Sequence, residues 1–315
     1  MLVISETPAT STGAGFENSV VTIGVFDGVH RGHTAVIGEL AAVKAREGRG
    51  QSIVLTFENH PLAVTHPEMV PPILTTLDEK LHVLEGLGVD VAIVMSFTPE
   101  IAETDYRLFI ERELVRRLGM RHLVVGYDFR LGRGREGSQE RLVAEGKRLG
   151  FGVTITPPVV SGGTVISSTR IRAMILERRL DRAARFLGRP YFFEGEVVRG
   201  GGLGRDLGFP TANLEVRDAR KLLPPGGVYA VEVEAGGVRR GGMMNIGTAP
   251  TVRRDGIRRI EVHIFDFSGE LYGKRVRTHC LQYLREERAF ASAEELRAQL
   301  MQDREVTYRV LEKKH

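Results

Sequence analysis

His30 and His33 stand three residues apart in the glycine-punctuated string GVFDGVHRGH (Gly24–His33), directly after the apolar run Val20–Ile23. Glycine lets a backbone approach a ligand closely, and a helix N-terminus presents N–H groups and the positive end of its dipole to an anion. Imidazoles placed there donate hydrogen bonds to phosphate oxygens as charge builds on them. Gly24, Phe26, Asp27 and Gly32 of the same string are candidate nucleotide contacts, with Asp27 alternatively a support for the loop. The competing reading is a glycine-rich turn that carries surface histidines.

A second anion-handling candidate is ISSTRIR (Ile166–Arg172). Ser167, Ser168 and Thr169 offer hydroxyls and backbone N–H groups at a helix start, and Arg170 offers a guanidinium suited to a pyrophosphate. The plain alternative is a helix cap with an exposed arginine. No GxxxxGK[ST] string occurs anywhere in the chain, which excludes a Walker-type kinase. In its place stands Gly200–Gly208, GGGLGRDLG, where Gly204 and Gly208 are candidates to wrap ATP phosphates with backbone N–H groups. FPTAN follows. The Thr211 hydroxyl and Asn213 amide oxygen are hard, neutral ligands that suit Mg²⁺ keeping several waters and sharing phosphate oxygens. Further on, Ile260, Val262 and Ile264 alternate with Glu261, His263 and Phe265, so Glu261 and His263 face away from the apolar set. On that pattern alone Glu261 reads as a solvent-facing carboxylate on a strand.

The elements that must position these residues fall into two groups. With 315 residues, the chain is long enough for about two domains. In the first, Val20–Phe26, Ser52–Phe57, Val89–Met95, His122–Gly126 and Gly152–Thr156 read as buried strands. Thr34–Glu47, Leu77–Leu87, Tyr106–Leu118 and Gln139–Leu149 read as helices between them, and Leu108, Leu114, Val115 and Leu118 form an apolar helical face. Alternating strands and helices imply a mostly parallel α/β sheet, with ligands beyond the carboxyl ends of its strands. From about Gly188 the pattern changes to strands separated by glycine-rich turns: Tyr191–Arg199, Val228–Glu234, Val238–Ile246, Arg258–Phe267 and Lys274–Tyr283. That spacing suggests a closed antiparallel barrel. Ser292–Leu311 then reads as a terminal helix with Ser292 as N-cap and Glu295 completing a capping box. The boundary falls near Arg185–Arg189, giving domains 1–185 and 186–315.

Composition narrows the class. No run of about 18 apolar residues exists, so no transmembrane helix is expected. The opening MLVISETPATSTGAG has no basic segment leading a long apolar one, and reads as a loosely ordered leader. A lone Cys280 forms no internal disulfide, no Cys/His cluster has zinc spacing, and the cytoplasm is the natural compartment. The net charge of +4 comes from the second part, since residues 1–185 carry 22 basic and 22 acidic side chains and residues 186–315 carry 22 and 18. That excess is a weak argument for nucleic acid.

Several strings occur in one order along nearly the whole chain: GVFDGVHRGH, LTFENHP (Leu55–Pro61), VVGYDFRLG (Val124–Gly132), ISSTRIR, GRDLGFPTANLE (Gly204–Glu215), GVYAVEV (Gly227–Val233), MNIGTAPTV (Met244–Val252) and IEVHIFDFSGELYG (Ile260–Gly273). Together they resemble the bacterial bifunctional riboflavin kinase/FAD synthetases. The resemblance implies a Rossmann-like α/β nucleotidyltransferase domain at the N-terminus and a C-terminal antiparallel β-barrel with a terminal helix. It implies phosphorylation of riboflavin to FMN and adenylylation of FMN to FAD, with ATP and Mg²⁺ required. His30, His33 and Arg170 would handle phosphates in the first domain, with Asn59, Asp128 and Phe129 facing flavin. Glu261 would be the kinase base. Three positions depart from the family pattern: Asn59 where proline is usual, Leu131 where phenylalanine is expected, and Ala249 where arginine is expected. The Asn59 amide has two readings, a hydrogen bond to the isoalloxazine edge or a loosened turn. The expected partners are riboflavin, FMN and ATP, with no nucleic acid and no membrane, in a monomer or weak homo-oligomer. Retention of only one activity, or a nucleic-acid-binding barrel joined to a nucleotide-binding domain, are the alternatives.

Overall fold

Short apolar strands build the first sheet: β1 (Leu2–Glu6), β2 (Ser19–Ile23), β3 (Ser52–Phe57), β4 (Val91–Met95), β5 (Met120–Gly126) and β6 (Gly152–Thr156). The computed structural model describes residues 1–6, 16–48, 50–200, 208–247 and 259–313. Strand order is β1-β4-β3-β2-β5-β6, and every neighbouring pair is parallel. Parallel strands need crossovers. The helices among these connections are α1 (Arg31–Glu47), α2 (Leu62–Thr65), α3 (Leu77–Gly86), α4 (Pro99–Ala102), α5 (Tyr106–Phe109) and α6 (Gln139–Leu149). From Ile110 to Arg117 the helix begun by α5 continues with wide π turns.

Alternate strand residues bury on opposite faces, so the sheet is covered on both sides. Val21, Ile23, Ile53, Leu55 and Ile93 pack with Phe109, Ile110, Leu114 and Leu118. Val20, Val54 and Val124 pack with Val36, Ile37, Leu40 and Val43 of α1 and Leu84 of α3. Among the described residues, no helix is long and apolar enough to cross a membrane.

Two expectations are corrected here. Leu2–Glu6, read as part of a loose leader, is an edge strand paired along its length with β4. Leu108 leaves the apolar face and is 39% exposed, because it lies six positions from Leu114 and so on another side of the helix; Ile110 takes its place.

After the sheet comes a short antiparallel hairpin, β7 (Val160–Ser161) and β8 (Thr164–Val165). The second unit is a closed six-stranded barrel, β10-β13-β12-β11-β14-β9 around the ring, with every pair antiparallel. Its strands are β9 (Tyr191–Val198), β10 (Ala212–Glu215), β11 (Gly227–Ala235), β12 (Val238–Ile246), β13 (Ile260–Ile264) and β14 (Arg275–Arg285). β10 lies inside the FPTANLE string, outside the strands that the apolar pattern predicts. Closure removes the edges that would otherwise invite pairing with another chain. Phe193, Tyr229, Val231, Met244, Ile246 and Val262 are almost wholly buried.

Two compact units divide the chain at Met1–Ser167 and Ser168–His315. Helices α7 (Ser168–Leu176) and α8 (Leu180–Leu187) therefore belong with the barrel, eighteen residues earlier than the boundary read from the strand pattern. The reason is packing: α8 buries Leu180, Ala183, Phe186 and Leu187 and lies against β9 and β14. Arg178 donates to the Gly226 carbonyl at 3.1 Å and lies 4.8 Å over the Tyr283 ring.

The terminal helix α9 (Ala293–Glu312) starts at Ser292, whose hydroxyl accepts from the Glu295 N–H at 3.2 Å. The expected return bond goes one residue further back, since the Glu295 carboxylate accepts from the Ala291 N–H at 3.1 Å. α9 is anchored to β14 by a bidentate pair, Arg285 Nε and Nη2 to Asp303 at 3.0 and 2.7 Å. The Asp303 carboxylate is 5% exposed. Removing one partner of so buried a pair leaves the other charge uncompensated, so Asp303→Ala should lower stability by about 3 kcal/mol. Urea unfolding of the full chain measures this, and an unshifted transition would show that the pair does not hold the helix.

Candidate active sites

Sheet order reverses at β2, which has β3 on one side and β5 on the other. At such a switch point the connections leave in opposite directions and open a crevice at the carboxyl ends of the strands. Gly24–His33 leaves β2 at that edge, Glu58–Pro61 leaves β3, and Tyr127–Gly132 leaves β5.

Local chemistry shapes the first of these loops. Phe26 (φ 51°), Gly28 (φ 80°) and Val29 (φ 37°) all take positive φ. For a β-branched residue such as Val29 this conformation is strained, and the surroundings must hold it. Phe26 and Val29 are buried, and Asp27 is 7% exposed. Asp27 Oδ1 accepts from the Leu74 and Thr75 N–H groups at 2.8 and 3.1 Å, and the Gly28 N–H donates to Thr75 Oγ1 at 3.0 Å. Of its two sequence readings, loop support is the one these bonds describe.

α1 begins three residues earlier than expected, within the motif. His30 is its N-cap, with Nδ1 accepting from the His33 N–H at 3.3 Å. An accepting Nδ1 leaves the proton of the neutral ring on Nε2, which is then a donor. The two imidazoles stack with centroids 3.6 Å apart, and Phe26 meets His33 edge-on at 5.2 Å. A Cβ on Gly32 would lie 3.1 Å from two atoms of the His30 ring, so glycine there leaves room for that ring. The Ile166 carbonyl lies 4.0 Å from the same point, which brings the start of ISSTRIR beside the histidine loop.

The other first-unit candidates sit as follows. Asn59 uses both ends of its amide on the Phe97 backbone, donating to its carbonyl at 2.9 Å and accepting from its N–H at 2.8 Å. The turn is thereby braced to the loop after β4, not loosened. Asp128 is exposed, while Phe129 packs partly buried against the core on one sheet face. Leu131 is buried and bridges to Gly137. Ser167 closes the first unit. Ser168 opens α7, with Thr169 and Arg170 exposed in its first turn.

In the barrel, register supplies what sequence spacing lacks. Asn213 of β10 pairs with Glu261 of β13, and Glu261 pairs in turn with Asn245 of β12. Cross-strand partners share a face, so these three side chains form a row across adjacent strands, opposite the buried Ile260 and Val262. Thr211 stands two residues before Asn213, immediately ahead of β10. The Arg259 guanidinium lies 3.3 Å from Glu261 Oε1. His263 Nδ1 lies 2.8 Å from the Pro210 carbonyl, tying β13 to the turn that delivers Thr211. Burial pushes the His263 imidazole below its ordinary value, and the Pro210 bond partly opposes this. A Cβ on Gly200 would collide with the Asn213 amide, so glycine there admits that side chain. Gly208 takes φ 82°, while Gly204 and Ala249 lie outside the described residues.

Sequence reasoning missed Asn245. Its Nδ2 donates to Glu287 Oε1 at 3.2 Å, and its Oδ1 is buried with no hydrogen-bond partner among the described residues. MNIG contains it, but only the pairing of β12 with β13 places it beside Glu261. Among the described residues no cluster of three or more His, Cys, Asp or Glu side chains could hold a metal ion. A metal here would rest on hydroxyl and amide oxygens and on phosphate.

Comparison with known proteins also divides the chain in two, the second match beginning near the boundary expected from the strand pattern. The FAD synthetase family model matches residues 14–170 and the riboflavin kinase model matches residues 187–311. The bifunctional riboflavin kinase/FMN adenylyltransferase of Escherichia coli is 42% identical over 91% of this chain and 91% of its own. That of Listeria monocytogenes is 38% identical over 92% and 91%. A solved structure described as a macrolide-efflux protein from Streptococcus pneumoniae superposes with a TM-score of 0.87 at 30% identity, covering 98% of this chain and 99% of that one. The chain belongs to the bifunctional riboflavin kinase/FMN adenylyltransferase family.

Proposed function

We propose that the barrel unit phosphorylates the ribityl 5′-hydroxyl of riboflavin and that the α/β unit joins the resulting FMN to the adenylyl group of ATP. The chain is a riboflavin kinase and FMN adenylyltransferase; the proposal concerns which residues do what. In the kinase step Glu261 accepts the hydroxyl proton as that oxygen attacks the γ-phosphorus of ATP and ADP departs. Arg259 holds the carboxylate, and Asn245 offers its acceptor oxygen to a neighbouring hydroxyl of the polyol. Thr211 and Asn213 fit Mg²⁺ by donor type. That ion would neutralise charge on the transferring phosphoryl group.

In the second step a phosphate oxygen of FMN attacks the α-phosphorus of ATP and pyrophosphate leaves. This nucleophile is already an anion, so alignment and charge neutralisation replace a base. His30 and His33 donate to phosphate oxygens beside the α1 N-terminus. Gly24, Phe26, Asp27 and Gly32 shape the loop, and the candidates for nucleotide and pyrophosphate in ISSTRIR remain Ser167, Ser168, Thr169 and Arg170. Asp128 and Phe129 face the flavin, and Asn59 braces the rim. ATP as co-substrate of both steps fits a cytoplasmic enzyme, and a monomer or weak homo-oligomer would suffice.

The observation that carries this reading is the row Asn213–Glu261–Asn245, which sets a metal-suited amide beside a carboxylate on one barrel face. A fragment spanning Ser168–His315 tests it: with Mg²⁺ and ATP it should convert riboflavin to FMN and form no FAD. A shorter fragment beginning at Gly188 should be less stable, because it uncovers the surface on which Phe186 and Leu187 pack. If the longer fragment folds but makes no FMN, the kinase site needs residues of the first unit.

A further inference from the structure

Lys80 sits in the first turn of α3, one residue after a capping box formed by Thr76 and Glu79. Its side chain is almost fully enclosed, with the residue 6% exposed, and its ammonium reaches three oxygens. Nζ donates to the Val25 carbonyl at 3.2 Å, to Thr56 Oγ1 at 2.9 Å and to the Phe57 carbonyl at 2.9 Å. Val25 belongs to the histidine loop after β2, and Thr56 and Phe57 end β3. The Thr56 hydroxyl in turn donates to the Val25 carbonyl at 3.2 Å. One cation thus fastens together the carboxyl ends of two adjacent strands, immediately before Phe26 enters its positive-φ conformation.

We propose that Lys80 is a positioning residue for adenylyl transfer: its ammonium fixes the start of the strained Phe26–Val29 segment and, through it, the stacked His30–His33 pair. The inference rests on the reading of that loop as the adenylyl-transfer site.

Three acceptors require three N–H groups, and only the charged amine carries three. A neutral amine has two and a lone pair, so the Thr56 hydroxyl must turn toward Nζ and release the Val25 carbonyl. Loss of the proton therefore acts on the loop at its first residues. The charged group facing Nζ is Asp27, from the same loop; β3 offers only the Thr56 hydroxyl and a carbonyl, and Glu79 on α3 is bonded to the Thr76 N–H. Burial pushes the Lys80 ammonium down to about 8, with Asp27 opposing that fall.

The sign of the linked stability separates this role from a structural one. The folded value lies below the unfolded one, so between about 8 and 10.5 the unfolded chain holds a proton that the folded chain lacks. Titration of Lys80 in that window raises global stability as pH rises. An alkaline loss of activity from this group would then come without a loss of fold.

The experiment uses the full chain, wild type, Lys80→Met and Lys80→Arg, with FMN adenylylation and riboflavin phosphorylation measured on the same preparations across pH. Wild-type adenylylation kcat should fall on the alkaline side with a midpoint of about 8, a limb that phosphorylation does not share. Lys80→Met should lose about 10²-fold in adenylylation kcat, with a smaller change in KM for FMN, as expected when reacting groups are misplaced. Lys80→Arg should recover part of that loss and show no alkaline limb, because a guanidinium stays charged. Native adenylylation in Lys80→Met, an alkaline limb that persists in Lys80→Arg, or equal loss of both activities with a lowered melting temperature would each overturn the proposal. If His33→Ala also retains adenylylation, it is the assignment of the loop that has failed.

Discussion

Replacing His33 by alanine should cut FAD formation from supplied FMN by about 10²–10³-fold, the usual effect of removing one transition-state donor, and leave riboflavin phosphorylation unchanged. The substitution is clean because the helix cap does not use the His33 side chain. His30 Nδ1 accepts from the His33 main-chain N–H, which alanine retains. His30→Ala would remove the cap itself, at a cost of about 1 kcal/mol, and would mix a stability effect with a chemical one. The lost ring also frees one face of the stacked pair, so His30 should gain rotational freedom and KM for ATP should rise modestly. Fluorescence and chromatographic assay of FMN and FAD on one preparation decides the matter. Parallel loss of both activities in a folded variant would sink the assignment of this loop to adenylyl transfer.

Much of this architecture was legible because the signals were local. Ser52–Phe57, Gly152–Thr156, Gln139–Leu149 and Val238–Ile246 were read to the residue, since their apolar runs end in glycine or polar turns. The switch from βα alternation to turn-punctuated strands announced two units, and GVFDGVHRGH after an apolar strand announced a phosphate loop. What was not legible depends on distant partners. Leu2–Glu6 is a strand only because β4 offers an edge to pair with. β10 is four residues long and carries Asn213, so its string reads as a ligand loop until the barrel closes around it. α7 and α8 look like further crossover helices, and only the packing of α8 on β9 and β14 assigns them to the barrel. The supporting residues share this property. Asp27 has two readings in sequence and Lys80 carries no motif at all, until the chain brings Leu74, Thr75, Thr56 and Val25 to them. Asn245 becomes part of a site through register alone.

Glu261→Gln should lower kcat for riboflavin phosphorylation by about 10²–10⁴-fold, the range expected for loss of a general base, with KM for riboflavin and ATP little changed. Glutamine keeps the volume and reach of the side chain and still hydrogen-bonds, so the row with Asn213 and Asn245 stays in place. It cannot take the proton that the 5′-hydroxyl must release as its oxygen attacks. The exchange also removes the charge opposite Arg259, which lies 3.3 Å from Oε1, but that arginine is 60% exposed and water compensates it. Stability should therefore hold, and a fall in kcat reports chemistry. Adenylylation of supplied FMN should be untouched, since its nucleophile needs no base. If Glu261→Gln phosphorylates riboflavin at the native rate, the carboxylate is a surface group of β13 and the base must be sought among its neighbours, with His263, two residues along the same face, the first to replace.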